Sequence, residues 1–115
     1  MKKILIVDDE PVILEMISIF LKRSGYEVMT TNNASDAIKR IIENEIDILL
    51  TDVMMPGISG FELSEKVNHV FPEIKIILMT GYDLQRKSPF PVLHKPFKNN
   101  ELEIMLKEDK IEIFK

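Results

Sequence analysis

Residues 48–52 read Ile-Leu-Leu-Thr-Asp, and the chain continues Val-Met-Met-Pro-Gly-Ile-Ser-Gly through residue 60. The apolar run is too short for a helix of its own, and it stops on one carboxylate, Asp52, ahead of a Pro-Gly loop. That combination reads as a buried strand delivering an acid to its carboxyl end. In an open parallel sheet, ligands bind in the crevice beyond the carboxyl ends of the strands. Asp52 is therefore a candidate for chemistry.

The rest of the chain alternates between two hydrophobic periods. Lys3 to Val7 is a short β-branched run that also ends on acids, Asp8 and Asp9. Pro11 suits the first turn of a helix, with Asp9 placed to cap it. Ile13, Met16, Ile17, Phe20 and Leu21 then recur at helical spacing through Ser24, and Gly25 is a natural stop. Tyr26 to Thr30 reads as a second strand. Ala34, Ala37, Ile38, Ile41 and Ile42 give an amphipathic helix from Ala34 to Asn44. Ser59 can cap a helix carrying Phe61, Val67 and Val70, although Gly60 weakens its first turn. Ile74 to Met79, apolar apart from Lys75, reads as a strand ending at Thr80, and Pro91 to His94 as a brief fifth. Glu101 to Lys107 closes the pattern as a helix with Leu102, Met105 and Leu106 inward. Asp83 to Pro91, polar and with two prolines, has room for at most one helical turn. The tail from Asp109 to Lys115 reads equally as helix or loose end.

Strands alternating with helices predict parallel βαβ units with right-handed crossovers and helices on both faces. A chain of 115 residues with 45% hydrophobic content suits one compact domain, residues 1–115. Its net charge of −4 leaves no basic footprint for non-specific nucleic-acid binding. The absence of cysteine excludes disulfides, thiolate zinc sites and cysteine nucleophiles. No apolar run reaches transmembrane length, and the four apolar residues after Lys3 are too few for a signal peptide, which predicts a cytoplasmic protein without membrane insertion. The four glycines form no phosphate-cradling loop.

The strand ends collect Asp8 and Asp9, Asp52, Thr80 and Lys95. Neighbouring strand ends lie roughly 5 Å apart, so all five side chains can share one pocket. Two carboxylates about 5 Å apart repel by on the order of 3 kcal/mol at an effective dielectric near 20. Lys95 offsets part of this, and a hard divalent cation offsets more; with few protein ligands and several waters, Mg²⁺ fits better than a caged Ca²⁺. A carboxylate beside Mg²⁺, an ammonium and a hydroxyl is equipped to receive a phosphoryl group.

The acid pair Asp8-Asp9, Asp52 in Asp-Val-Met-Met-Pro-Gly-Ile-Ser-Gly, Thr80-Gly81 and Lys95-Pro96-Phe97 stand in order at four strand ends. In this set, over nearly its whole length, the chain resembles the response-regulator receiver domains of two-component signalling. The resemblance implies a doubly wound, flavodoxin-like α/β fold with strand order 2-1-3-4-5. It implies Asp52 as phosphoacceptor from a sensor histidine kinase or a histidine phosphotransfer protein. It further implies Mg²⁺ held by Asp8, Asp9, Asp52 and the main-chain carbonyl of Met54, phosphoryl contacts from Thr80 and Lys95, and a cis Lys95-Pro96 bond. A signalling module with a downstream protein partner is expected, not an enzyme with a substrate of its own, and a phosphorylation-dependent dimer is compatible with it. A receiver fold that is not phosphorylated and a Mg²⁺-dependent aspartyl-phosphate phosphatase are the alternatives; no acid two residues after Asp52 is present to serve the latter.

Two departures from the family pattern carry expectations. Where relatives place an aromatic residue three positions before the lysine, this chain has Val92, leaving Phe90 or Tyr82 to take that part. Only 14 residues separate Thr80 from Lys95, so the helix expected between the fourth and fifth strands is short or irregular. Val12, Leu14 and Ile19 lie outside the core cluster of the first helix and form a candidate docking strip beside the site.

Overall fold

A computed structural model describes residues 2–82 and 88–108. The elements are β1 (Lys3–Val7), α1 (Pro11–Arg23), β2 (Glu27–Thr31), α2 (Ala34–Glu43), β3 (Ile48–Asp52), α3 (Gly60–Val70), β4 (Lys75–Thr80), β5 (Val92–His94) and α4 (Asn99–Lys107). The five strands form one parallel sheet in the order β2-β1-β3-β4-β5. This is the doubly wound arrangement expected from the alternation.

Strand alternation divides the core into two layers. Leu5, Val7, Leu49, Ile76 and Leu78 point to the side covered by Ala37 and Ile41 of α2 and Leu63 and Val67 of α3. Ile4, Ile6, Ile48, Leu50, Ile77 and Met79 point to the other side, against Ile17 and Leu21 of α1 and Leu102 and Leu106 of α4. The three central strands bury residues on both faces, which is why they read as continuous apolar runs and not as alternating ones.

The helix ends follow local chemistry. Ser59 accepts from the Glu62 amide at 3.2 Å and the Glu62 carboxylate reaches back to the Ser59 amide at 3.5 Å, a capping box. Asn33 caps α2 through the Asp36 amide at 2.8 Å. At the far end of the sheet, Lys75 at the start of β4 donates to the Met105, Leu106 and Glu108 carbonyls and holds the carboxyl end of α4.

Several sequence expectations need correction. Asp9 does not cap α1: Glu10 occupies that position without a side-chain cap bond, and its amide is taken instead by Asp8 Oδ1 at 2.9 Å. Met16, Ile42 and Val70 are exposed, because each lies on the flank of its helical stripe and faces away from the sheet. Leu14, placed outside the core by the sequence, is half-buried and packs with the α1 and α4 layer. β2 starts one residue later than Tyr26, and α4 starts at Asn99 where the Lys98 amide meets Glu101 Oε1 at 2.9 Å. Among the described residues, no helix joins β4 to β5; residues 83–87 of that connection and the tail 109–115 lie outside the described residues.

Candidate functional site

The ends of two neighbouring strands, β1 and β3, bring the acids together. Asp8 follows β1 and is fully buried, Asp52 ends β3 and is nearly so, and Asp9 is exposed. One carboxylate oxygen from each lies within 4.8 Å of the others. Lys95, after β5, reaches into this group: its Nζ is 2.7 Å from Asp8 Oδ2 and 3.6 Å from Asp52 Oδ2. The Lys95-Pro96 peptide is cis, in line with the sequence expectation.

The main chain fixes these positions. The Lys95 amide donates to the Thr80 carbonyl at 2.7 Å, and the Val53 amide to the Met79 carbonyl at 2.9 Å, so the ends of β3, β4 and β5 are tied side by side. Thr51 Oγ1 donates to the Asp52 carbonyl at 3.0 Å. Gly60, the first residue of α3, donates to the Val53 carbonyl at 2.9 Å, and a Cβ there would stand 2.0 Å from the Asp52 carbonyl oxygen. Here glycine is required by space, since its φ is not positive.

Thr80 is buried at the end of β4, and its hydroxyl is engaged in its own turn, accepting from the Tyr82 amide at 3.1 Å and donating to the Tyr82 carbonyl at 3.4 Å. It therefore lies at the site without bonding the acids directly. The Met54 main chain hydrogen-bonds the Asp52 carboxylate, while its side chain and that of Tyr82 are exposed.

Burial pushes the Asp52 carboxyl above its ordinary value; Lys95 pulls it down, Asp8 raises it again, the Met54 main chain lowers it and Asp9 raises it, for a net rise. For Lys95, burial pulls the ammonium down, but the hydrogen bond and charge of Asp8, followed by the charges of Asp52 and Glu10, outweigh this and raise it. The folded state thus binds the Asp52 proton more tightly than the unfolded chain does. Ionisation of Asp52 weakens the fold as pH rises from the ordinary carboxylate value through the raised one. The Lys95 contribution has the other profile: it is complete below the ordinary ammonium value and is lost as pH rises through the raised one. Asp52→Asn is accordingly expected to flatten the acidic part of the stability curve and to raise stability at pH 7 by about 1–3 kcal/mol in the absence of divalent cation. Urea unfolding between pH 4 and 7 checks this; a variant less stable than wild type at pH 7 would contradict it.

The donor set suits a hard divalent cation. Its side-chain donors are carboxylate oxygens, one of them on an exposed acid that leaves room for water, and one ammonium does not balance three acids. Mg²⁺, which takes one or two carboxylates and keeps several waters, fits these residues.

Comparison with known proteins decides the family. The family model for the response regulator receiver domain matches residues 4–107. The chain belongs to this family. Receiver domains of this kind are signalling modules of two-component response regulators. The receiver is similar to the response regulator protein TrrA of Thermotoga maritima in complex with Mg²⁺-BeF, with a TM-score of 0.87 and 36% identity over 93% of this chain and 97% of that one. A second structure, TrrA in complex with the histidine kinase ThkA, superimposes with a TM-score of 0.84, at 36% identity and the same 93% and 97% coverage. Among curated relatives, the response regulator receiver protein CpdR of Brucella abortus is 32% identical, covering 92% of this chain and 98% of its own. The regulatory protein VanR of Enterococcus faecium is 39% identical over 85 residues, and the match spans 72% of this receiver but 36% of VanR.

Of the five side chains expected to meet, Asp8, Asp9, Asp52 and Lys95 come together at the carboxyl end of the strands, whereas the Thr80 hydroxyl is turned into its own loop. Sequence reasoning missed Glu10, whose Oε1 stands 3.8 Å from Lys95 Nζ. It also took Gly60 only as a weak helix residue. The signal for Glu10 was its place directly after the acid pair; no local signal marks the close approach at Gly60.

Proposed function

We propose that this receiver accepts a phosphoryl group on Asp52 from the phosphohistidine of a sensor kinase or phosphotransfer protein, and that the phosphorylated form changes its protein contacts. The observation that supports this reading most strongly is the buried Asp52 carboxylate flanked by Asp8, Asp9 and Lys95, with Thr80 on the neighbouring strand end. One domain over residues 1–115, acting in the cytoplasm, accounts for the chain.

Asp8, Asp9, Asp52 and the Met54 carbonyl would hold Mg²⁺, which when bound supplies positive charge against the phosphoryl oxygens. Asp52 must be ionised to attack. One of its oxygens bonds to phosphorus as the imidazole nitrogen–phosphorus bond breaks, the electron pair stays on the departing imidazole, and an acyl phosphate results. Lys95 carries the charge that balances the incoming group, moving from Asp8 toward the phosphoryl oxygens. Thr80 gives up its bond to the Tyr82 carbonyl and donates to a phosphoryl oxygen instead.

That exchange is also the switch. The acyl phosphate carries about two negative charges where the Asp52 carboxylate carried one, and this added charge draws in Lys95 and Thr80, and with them the loops after β4 and β5, already joined by the Lys95-to-Thr80 main-chain bond. Phe90 is half-buried against the α2 and α3 layer, whereas Tyr82 is exposed and bonded through its main chain to the Thr80 hydroxyl. With Val92 at the usual aromatic position, Tyr82 is the aromatic residue that moves when Thr80 turns.

For the donor protein, the docking face is a groove of about 560 Å³ beside Lys95, lined by Ile13, Met16, Ile19 and Phe20 of α1 and by Pro96 and Phe97. Met16 and Ile19 are exposed there, and an amphipathic helix of a kinase or phosphotransfer protein fits such a groove.

Intact mass after incubation with Mg²⁺ and acetyl phosphate tests the reading. A single added phosphate, released by hydroxylamine, abolished by chelation of the cation and absent from Asp52→Ala, is expected. An adduct of equal yield in Asp52→Ala would refute it.

A further inference from the structure

Three carboxylates surround the Lys95 ammonium, and they are not equivalent. Asp8 is closest at 2.7 Å and fully buried; Asp52 follows at 3.6 Å with its side chain 9% exposed. Glu10 is third, at 3.8 Å, with its side chain 64% exposed. Glu10 does no capping work for α1, because its side chain makes no cap hydrogen bond, while its amide is anchored by Asp8 Oδ1 at 2.9 Å. The backbone is pinned to the buried acid and the carboxylate is left at the solvent mouth of the site, next to the Lys95 ammonium that an entering phosphoryl group would use.

We propose that Glu10 is a specificity-determining residue of this receiver: its carboxylate at the mouth repels free anionic phosphodonors and so favours donors delivered by a docked protein. The proposal rests on Asp52 being the acceptor. Its argument is electrostatic. A small phosphodonor arrives as a mono- or dianion by diffusion, and a fixed negative charge at the entrance, on top of Asp9, lowers its local concentration and competes for Lys95. A phosphohistidine carried on a protein meets the same charge, but apolar contacts in the α1 groove hold it in place. The penalty therefore falls on donors that have no docking surface. Glu10 touches neither acceptor nor donor covalently; it acts through Lys95 and through its field.

The field account makes a graded prediction that a merely structural role does not. Glu10→Gln removes one negative charge at nearly constant shape, and Glu10→Lys reverses it. Initial rates of adduct formation are measured by mass with acetyl phosphate, largely a dianion, and with phosphoramidate, largely a monoanion, at saturating Mg²⁺. With acetyl phosphate, Glu10→Gln is expected to gain about three- to tenfold and Glu10→Lys more, the gain shrinking in 0.5 M salt. With phosphoramidate the gain is smaller, so the ratio of the two donors shifts in the order Glu, Gln, Lys.

Equal rate changes for both donors, or no change with either, would overturn the role of Glu10 while leaving Asp52 as acceptor. No adduct in wild type or either variant with either donor would defeat both the acceptor assignment and the proposal built on it.

Discussion

Replacing Lys95 with methionine destabilises the folded receiver by about 3–5 kcal/mol at pH 7 without divalent cation, the range seen when one partner of a buried ion pair is removed. The side chain is 16% exposed, and among the described residues it is the cation within salt-bridge distance of Asp8, whose side chain is fully buried, and of Asp52, whose side chain is 9% exposed. Methionine keeps the apolar stem and removes the charge, so the loss reports electrostatics and not a cavity. Asp8 keeps its bond from the Glu10 amide, but its second oxygen loses a partner and the acid cluster loses its counter-charge.

The pH dependence of that loss has a definite sign. Without Lys95, the largest influence holding the Asp52 carboxyl down is gone and burial raises it further. The variant therefore gains stability relative to wild type as pH falls through the raised Asp52 value and the carboxylate takes up a proton. Mg²⁺ acts in the same direction by supplying the missing charge: at 100 times its dissociation constant, a ligand of the native state adds about 2.7 kcal/mol. Urea denaturation at pH 7 and pH 5, with and without Mg²⁺, separates these contributions. A loss under about 1 kcal/mol at pH 7 in chelator would mean that water and not Lys95 satisfies Asp8.

Gly60→Ala is the second large effect, and it is steric. Helix propensity alone would favour alanine by about 1 kcal/mol at a helical position. The added Cβ, however, would meet three backbone atoms, the Asp52 oxygen at 2.0 Å, the Asp52 carbonyl carbon at 2.9 Å and Val53 Cα at 2.9 Å. None of them can rotate away as a flexible side chain would. Either the first turn of α3 lifts from the end of β3, breaking the Gly60-to-Val53 bond, or the Asp52 peptide shifts and carries its carboxylate with it. The net expectation is a loss of about 2–3 kcal/mol, as for other overpacked interiors, together with slower phosphoryl acceptance. A neutral or stabilising Gly60→Ala would show that α3 docks more loosely than this contact implies.

These two residues mark what a sequence can and cannot disclose. The central strands were legible because burial on both faces writes an uninterrupted apolar run, as in Ile-Leu-Ile-Val and Ile-Ile-Leu-Met. The candidate site was legible because Asp8 and Thr80 stand directly after an apolar run and Asp9, Asp52 and Lys95 two positions after one. Ser59 announced its helix because a capping box is local chemistry. Gly60 was misread for the opposite reason: its role depends on a backbone contact with a strand that ended eight positions earlier, and nothing near it in the chain records that distance. Met16, Ile42 and Val70 were assigned inward because their spacing satisfies the helical period, yet the sheet covers only part of each stripe. Asp9 was a sound capping candidate by residue type, but the chain turns so that Glu10 takes the capping position and the Asp8 carboxylate receives its amide.

Thr80 shows a subtler limit. Its position at the end of β4 was readable, but its hydroxyl is held by Tyr82, a turn the sequence Thr-Gly-Tyr does not advertise. In the proposed mechanism, contact between Thr80 and a phosphoryl group would require that turn to open, which would couple phosphorylation to movement of the following loop.

The acceptor assignment is tested most directly by trapping the modified residue. The protein is phosphorylated with Mg²⁺ and a phosphohistidine-bearing kinase or phosphotransfer domain, then treated with borohydride, which reduces an acyl phosphate to an alcohol and so turns the labelled aspartate into homoserine. Peptide mass mapping is expected to find homoserine at position 52 and aspartate retained at positions 8 and 9. Homoserine at position 8 or 9, or phosphate retained on a residue that borohydride leaves unchanged, would contradict the assignment of Asp52.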